Sequence, residues 1–263
     1  MYLDMGDLLS GKTAVVTGAS SGNGRSIALC FAAQGADVVV ADVQEEPREG
    51  GTPTHRRVRD ETDQRASFVD CDVTEADDLV GAVDAADEFG GINVMVNNAG
   101  ILGPVGPLVD IDRDGYRQLM DVNLDGMVFG AQTAAQRMID QGTAGSIINI
   151  SSVAGIEGYE EIVPYAVAKG GVRLMTYALA AELGEYGIRV NAIHPGVIET
   201  AMTTEDMPMI GTAEGEAILE ALPLDRYGQP EDVGNAAVLL ASDLASYVTA
   251  ESLLVDGGMV NTA

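Results

Sequence analysis

Short apolar runs punctuate the chain at 13–17, 37–41, 67–70, 94–97, 146–151, 189–194 and 252–255. They are rich in Val and Ile and mostly lack polar alternation, which predicts strands buried on both faces. Between them, apolar residues return at helical spacing over 25–34, 76–88, 116–140 and 165–185, which predicts amphipathic helices. Strands that alternate with helices imply an α/β fold, a doubly wound parallel sheet covered on both faces. Ligands are then expected at the carboxyl ends of the strands.

Two stretches interrupt the alternation. Residues 44–65 are polar and hold Arg48, Arg56, Arg57, Arg59 and Arg65, five of the twelve arginines. Residues 199–225 form a long, Met-bearing segment without a basic residue, and long loops of this kind often serve as lids. No repeat or Pro-rich linker divides the 263 residues, so residues 1–263 are expected to form one domain, with a substrate lid at about 199–225.

Charge changes the picture more than length does. Forty-one acidic against fourteen basic residues give a net charge of -27, and the acids are spread along the chain. Such a field repels nucleic acid and anionic membranes, so neither is expected as a partner. A scarcity of lysine and aromatic residues with this acidity suggests adaptation to concentrated salt, although a basic partner would also account for it. The first residues lack the basic flank and apolar run of a signal peptide, and no segment approaches a membrane span. Cys30 and Cys71 stand apart from any Cys or His cluster. They are expected to be buried, reduced thiols of a cytoplasmic protein, and no metal site is expected.

The candidate chemistry begins with lysine. Only Lys12 and Lys169 occur, and Lys169 follows Tyr165 by four positions, so a helix presents both on one face. A cation beside a phenol lowers its pKa from about 10 and makes it a base. The first strand ends in Thr17-Gly18-Ala19-Ser20-Ser21-Gly22-Asn23-Gly24, directly before a helix. Such glycines let backbone N–H groups approach a pyrophosphate at the helix N-terminus, although a tight structural turn would use the same residues. Asp42 closes the second strand, where a carboxylate reaches an adenosine ribose in a Rossmann fold; it favours NAD(H) over NADP(H). The nearby arginines could instead reach a 2′-phosphate.

Together these residues resemble the single-domain short-chain dehydrogenases/reductases. The likeness runs through Thr17-x3-Gly22-x-Gly24, Asp72-Val73, Asn97-Asn98-Ala99-Gly100, Asn123, Ser152, Tyr165-x3-Lys169, Pro195-Gly196 with Thr200, and Val255-Asp256-Gly257-Gly258. It implies Tyr165 as acid/base, Ser152 as the hydroxyl that binds the substrate oxygen, and Lys169 as a ligand of the nicotinamide ribose that also lowers the Tyr165 pKa. Asn123 would hold a proton-relaying water. Cofactor contacts are implied for Gly18, Ser21, Gly22, Asn23, Gly24, Asp42, Asp72, Val73, Asn98, Ala99, Gly100, Tyr165, Lys169, Pro195, Gly196, Val197, Ile198 and Thr200. Ser151 should face away from the site. Asn23, Asn93 and Ala250 depart from the family pattern, the last standing where glycine is common.

The resemblance implies an NAD-dependent oxidoreductase that moves hydride between nicotinamide and an alcohol or ketone carbon of a small substrate, as a homotetramer. Apolar surplus on helices 116–140 and 165–185 points to the same assembly. Met1-Tyr2-x-Asp4 and Ala245-Ser246-Tyr247-Val248-Thr249 look like glucose-type sugar dehydrogenases, with Glu157, Tyr159 and Glu160 as candidate hydroxyl ligands. A 3-oxoacyl thioester reductase is the enzymatic alternative. A silent dinucleotide sensor or scaffold is the alternative of another class, disfavoured by the complete set Asn123, Ser152, Tyr165 and Lys169.

Overall fold

The computed structural model describes residues 7–262, so the Met1-Tyr2-x-Asp4 motif lies outside the described residues. Seven parallel strands form one sheet: β1 Thr13–Thr17, β2 Asp37–Asp42, β3 Ala66–Asp70, β4 Val94–Asn97, β5 Gly145–Ile150, β6 Ile188–Pro195 and β7 Ser252–Val255. Their order is β3-β2-β1-β4-β5-β6-β7. The chain winds outward from β1 in one direction and then, from β4, in the other, which leaves a crevice at the carboxyl ends of β1 and β4.

Alternation along each strand divides the core. Ala14, Val16, Val38, Val40 and Ile148 face one layer, while Val15, Val39, Met95 and Ile147 face the other. On the first face lie α1 Gly22–Ala33, with Ile27 and Phe31 fully buried, and α8 Pro230–Ala241, with Val233 and Leu240. On the second lie α3 Ala76–Asp84, α5 Gly126–Gln141 and α6 Val163–Leu183. Burial on this scale contributes roughly 1.5–3 kcal/mol for each large apolar side chain, and it explains why the strand sequences carry no polar face.

Four differences from the periodicity have local causes. Helix α1 starts at Gly22, because the glycine turn itself supplies the first helical turn. The 76–88 helix tightens into a 3-10 turn at Ala85–Phe89, and Gly90 and Gly91 stop it at φ +110° and +98°. The 116–140 helix is two, α4 Arg113–Met120 and α5, joined by a wide π-type turn at Asp121–Asp125 that carries Asn123. Residues 44–65 are not wholly irregular: α2 Thr54–Glu61 packs His55 and Val58 inward. Helix α8 was not anticipated at all, although Pro230 at its first turn and the Asp232 carboxylate, which accepts from Gln229 N at 2.8 Å, are start signals.

Segment 199–225 holds a π-type turn at Met202–Asp206 and helix α7 Ala213–Ala221. The chain ends in the short helix α9 Met259–Thr262. Among the described residues no helix is long and apolar enough to cross a membrane.

Candidate active site

A cleft of about 440 Å³ opens over the carboxyl ends of the central strands. Its floor is the glycine turn. Gly18 has φ +63°, and a Cβ there would lie 2.9 Å from Ala99 Cα, so only glycine lets β1 and β4 close at this point. Asn98 ties them further, donating from Nδ2 to the Thr17 and Gly18 carbonyls at 2.9 and 3.1 Å. Gly24 lies beneath the floor against the Gly18 carbonyl.

The open N-terminus of α1 already holds an anion. Glu49 Oε1 accepts from Gly22 N at 3.2 Å, and Arg48 N donates to Ser21 Oγ at 2.8 Å. Asn23 Oδ1 and Ser20 Oγ are buried without a partner. An N-terminus that draws a carboxylate, beside buried polar atoms left unsatisfied, fits a phosphate-bearing ligand. From the far wall Thr200 approaches to 3.4 Å of where a Gly22 Cβ would stand.

Asp42 marks one end of the cleft. Its carboxylate accepts from Ser20 N at 2.9 Å and from Gln44 N at 3.3 Å, and burial pushes its pKa up against those backbone hydrogen bonds. Of the arginines in 44–65, only Arg48 lines the cleft. Its guanidinium is taken by segment 199–225: it pairs with Asp206 at 2.8 Å and Glu205 at 3.0 Å. Arg56, Arg57 and Arg65 pair with Glu45, Glu61 and Asp37.

At the other end stand Ser152, Tyr165 and Lys169. Tyr165 and Lys169 occupy adjacent turns of α6, with Lys169 Nζ 5.6 Å from the tyrosine ring centroid. The ammonium donates to the Ile150 carbonyl at 2.9 Å. Ser152 follows β5 in extended conformation, and its Oγ accepts from Ala154 N at 3.1 Å. Ser151 borders the cleft as well, and its hydroxyl is spent on the Lys169 carbonyl, to which it donates at 2.9 Å.

The expected electrostatics are reversed. Burial pushes the Tyr165 phenol up to about 12, with the Ser152 hydroxyl opposing it, and burial pushes Lys169 down to about 7. Desolvation is the dominant cause for both groups.

Asn123 is fully buried in the π-type turn and spends its amide on Ile101, accepting from the N–H at 2.8 Å and donating to the carbonyl at 2.7 Å. Gly100 lies between Asn123 Oδ1 and Lys169 Nζ. The remaining residues Asp72, Val73, Ala99, Pro195, Gly196 and Ile198 line the cleft with Gly18, Ser21, Gly22, Asn23 and Asn98. Val197 does not; its carbonyl accepts from Gly228 N at 3.0 Å. Sequence reasoning missed Cys71, which lines the cleft and whose thiol burial pushes up to about 12, and Glu49, which caps the α1 N-terminus through Gly22 N. Among the described residues, no group of three or more His, Cys, Asp or Glu is placed to hold a metal ion.

Comparison with known proteins points the same way. Residues 18–260 match the family described as Enoyl-(Acyl carrier protein) reductase. A short chain dehydrogenase/reductase of Aspergillus oryzae is 40% identical over 253 residues, 95% of each chain. An L-rhamnose 1-dehydrogenase (NAD(P)(+)) of Sphingomonas is 40% identical over 256 residues, 96% of this chain and 97% of its own. The crystal structure of an Agrobacterium tumefaciens protein described as a putative 2-deoxy-d-gluconate 3-dehydrogenase, with bound NADP, superposes with a TM-score of 0.84 at 38% identity over 96% of this chain and 97% of that one.

Proposed function

The chain belongs to the short-chain dehydrogenase/reductase family, and from that premise we propose that it oxidises a CH–OH group of a small polyol or sugar with NAD(H) as its dinucleotide. The observation that carries this reading is the single cleft with Asp42 at one end and Ser152, Tyr165 and Lys169 at the other. A relative named as an L-rhamnose 1-dehydrogenase and a solved structure described as a putative 2-deoxy-d-gluconate 3-dehydrogenase support the substrate class.

The glycine turn and the α1 N-terminus would hold the cofactor's phosphates, displacing the Glu49 carboxylate. Asp42 would take the adenosine ribose, with Asp72 and Val73 beside the base and Thr200 near the nicotinamide. When bound, the nicotinamide supplies a hydride acceptor or donor. Tyr165 takes the alcohol proton in oxidation and returns it in reduction, while Ser152 holds the substrate oxygen. Lys169 must be charged to assist Tyr165, and ribose hydroxyls would give it the partners it lacks here. Asn123 fixes Ile101 and the wall beside Lys169.

Preference for NAD(H) rests on Asp42 and on the pairing of Arg48 with Glu205 and Asp206, which, among the described residues, leaves no unpaired cation in the cleft beside Asp42 for a 2′-phosphate. The NADP in the Agrobacterium structure belongs to that protein. The same ion pairs tie residue 48 to segment 199–225, which supports a lid role for that segment. Exposed Phe129, Val167 and Leu174 on α5 and α6 support a homotetramer, and the net charge of -27 supports a cytoplasm rich in salt. A 3-oxoacyl thioester is the second reading, since the family description names an acyl carrier.

The test is Tyr165→Phe in a screen of sugars, alcohols and oxoacyl thioesters followed by NADH absorbance. Turnover is expected to vanish while NADH binding stays within about threefold, since the ring remains and only the proton donor is lost. Retained turnover would exclude the assigned role.

A further inference from the structure

A line of hydrogen bonds runs behind Ser152. His194, fully buried on β6, places Nδ1 3.0 Å from the Ser152 carbonyl and Nε2 3.0 Å from Ser252 Oγ on β7. Ser252 Oγ lies 2.7 Å from the Tyr177 hydroxyl, which accepts from Arg173 Nε at 3.0 Å. The directions are determined. A carbonyl can only accept, so Nδ1 carries a proton, and in the neutral imidazole Nε2 is then an acceptor. Ser252 must then donate to Nε2, and Tyr177 must donate to Ser252. Burial lowers the His194 pKa, which favours the neutral imidazole this scheme needs.

The origin of the line matters. Tyr165, Lys169, Arg173 and Tyr177 are spaced by four residues on α6 and form one stripe that winds about 120° round the helix. One part of that stripe presents the phenol to the Ser152 side chain. The other part reaches round through β7 and β6 to the carbonyl of the same residue. Helix α6 therefore holds Ser152 from both sides, and a shift of its peptide would move the hydroxyl relative to Tyr165.

We propose that His194 is a positioning residue: its Nδ1–H bond to the Ser152 carbonyl sets the orientation in which the Ser152 hydroxyl meets substrate, and Ser252, Tyr177 and Arg173 hold its tautomer. This rests on the reading of Ser152 as the substrate-oxygen ligand. Misplacement on the scale of 1 Å can cost roughly a hundredfold in rate.

His194→Phe is expected to lower kcat roughly 10–100-fold with the KM for NAD within twofold. His194→Asn, whose Nδ2 can stand where Nδ1 stood, should recover most of kcat, whereas His194→Gln should not. Ser252→Ala, a milder change at the sheet edge that should not threaten folding, should lower kcat about 3–10-fold by freeing the imidazole. The decisive comparison uses Ser152→Ala as background: adding His194→Phe there should change kcat less than twofold, because the group being positioned is already gone. An undiminished kcat in His194→Phe, equal losses in the Asn and Gln variants, or a full additional loss in the Ser152→Ala background would each overturn the proposal. If Ser152→Ala itself turned over normally, the underlying reading of Ser152 would be the one to fall.

Discussion

Lys169→Met should make the cofactor-free protein more stable at neutral pH. The lysine is 3% exposed, and its ammonium makes a single hydrogen bond, to the Ile150 carbonyl. Burial takes its pKa from 10.5 to about 7. At about 1.4 kcal/mol for each pH unit, that fall corresponds to roughly 5 kcal/mol of strain on the charged form. Below pH 7 both the folded and the unfolded chain carry the proton, so the full cost is present. Between about 7 and 10.5 the unfolded chain still holds a proton that the fold has released, so stability rises with pH through that window. Methionine has a similar length and no charge, so the variant should lack this slope. Urea unfolding of both proteins from pH 6.5 to 9.5 in molar KCl reads the difference. Cys71 and Tyr165, whose raised pKa values lower stability at alkaline pH, are common to both and cancel. The variant should be more stable by a few kcal/mol at pH 6.5, and the gap should narrow steadily towards pH 9.5. A gap of constant size would refute a neutral, desolvated lysine, and a less stable variant would show that its hydrogen bond outweighs its burial.

Asp42→Ala should move the ratio of kcat/KM for NADP over NAD upward by roughly tenfold, about 1.4 kcal/mol; native preference for NADP would instead mean that the Arg48 ion pairs open to admit a 2′-phosphate. Ala250 sits at φ +59° and is exposed. That conformation costs a non-glycine residue about 1–2 kcal/mol, offset by about 0.4–1 for the freedom glycine adds to the unfolded chain, so Ala250→Gly should raise Tm by roughly 1–4 °C; a lower Tm would contradict it. Raising KCl from 0.1 to 1 M shortens the Debye length from about 10 to about 3 Å and should raise both Tm and activity in a protein of charge -27; a flat or falling Tm would reject the salt adaptation.

Much of the framework was legible because it is local. Unbroken β-branched runs such as Val38–Val39–Val40 can only be strands buried on both faces, and alternation with helices then determines a parallel sheet and its crevice. The glycine turn and the four-residue step from Tyr165 to Lys169 pointed to a candidate site at that crevice, since turn and helix geometry follow from sequence spacing alone. Tertiary structure decided what depends on partners distant in the chain. Helix α8 has a modest apolar stripe and gains its meaning only against α1. Arg48 looked available to a phosphate until Asp206 and Glu205, over 150 residues away, claimed it. The sign of the Tyr165 and Lys169 shifts depends on how much water the fold excludes, which spacing does not encode. His194 stood in the sequence as an ordinary strand residue, and only the meeting of β6 and β7 with the end of β5 and with α6 gave it a carbonyl to hold.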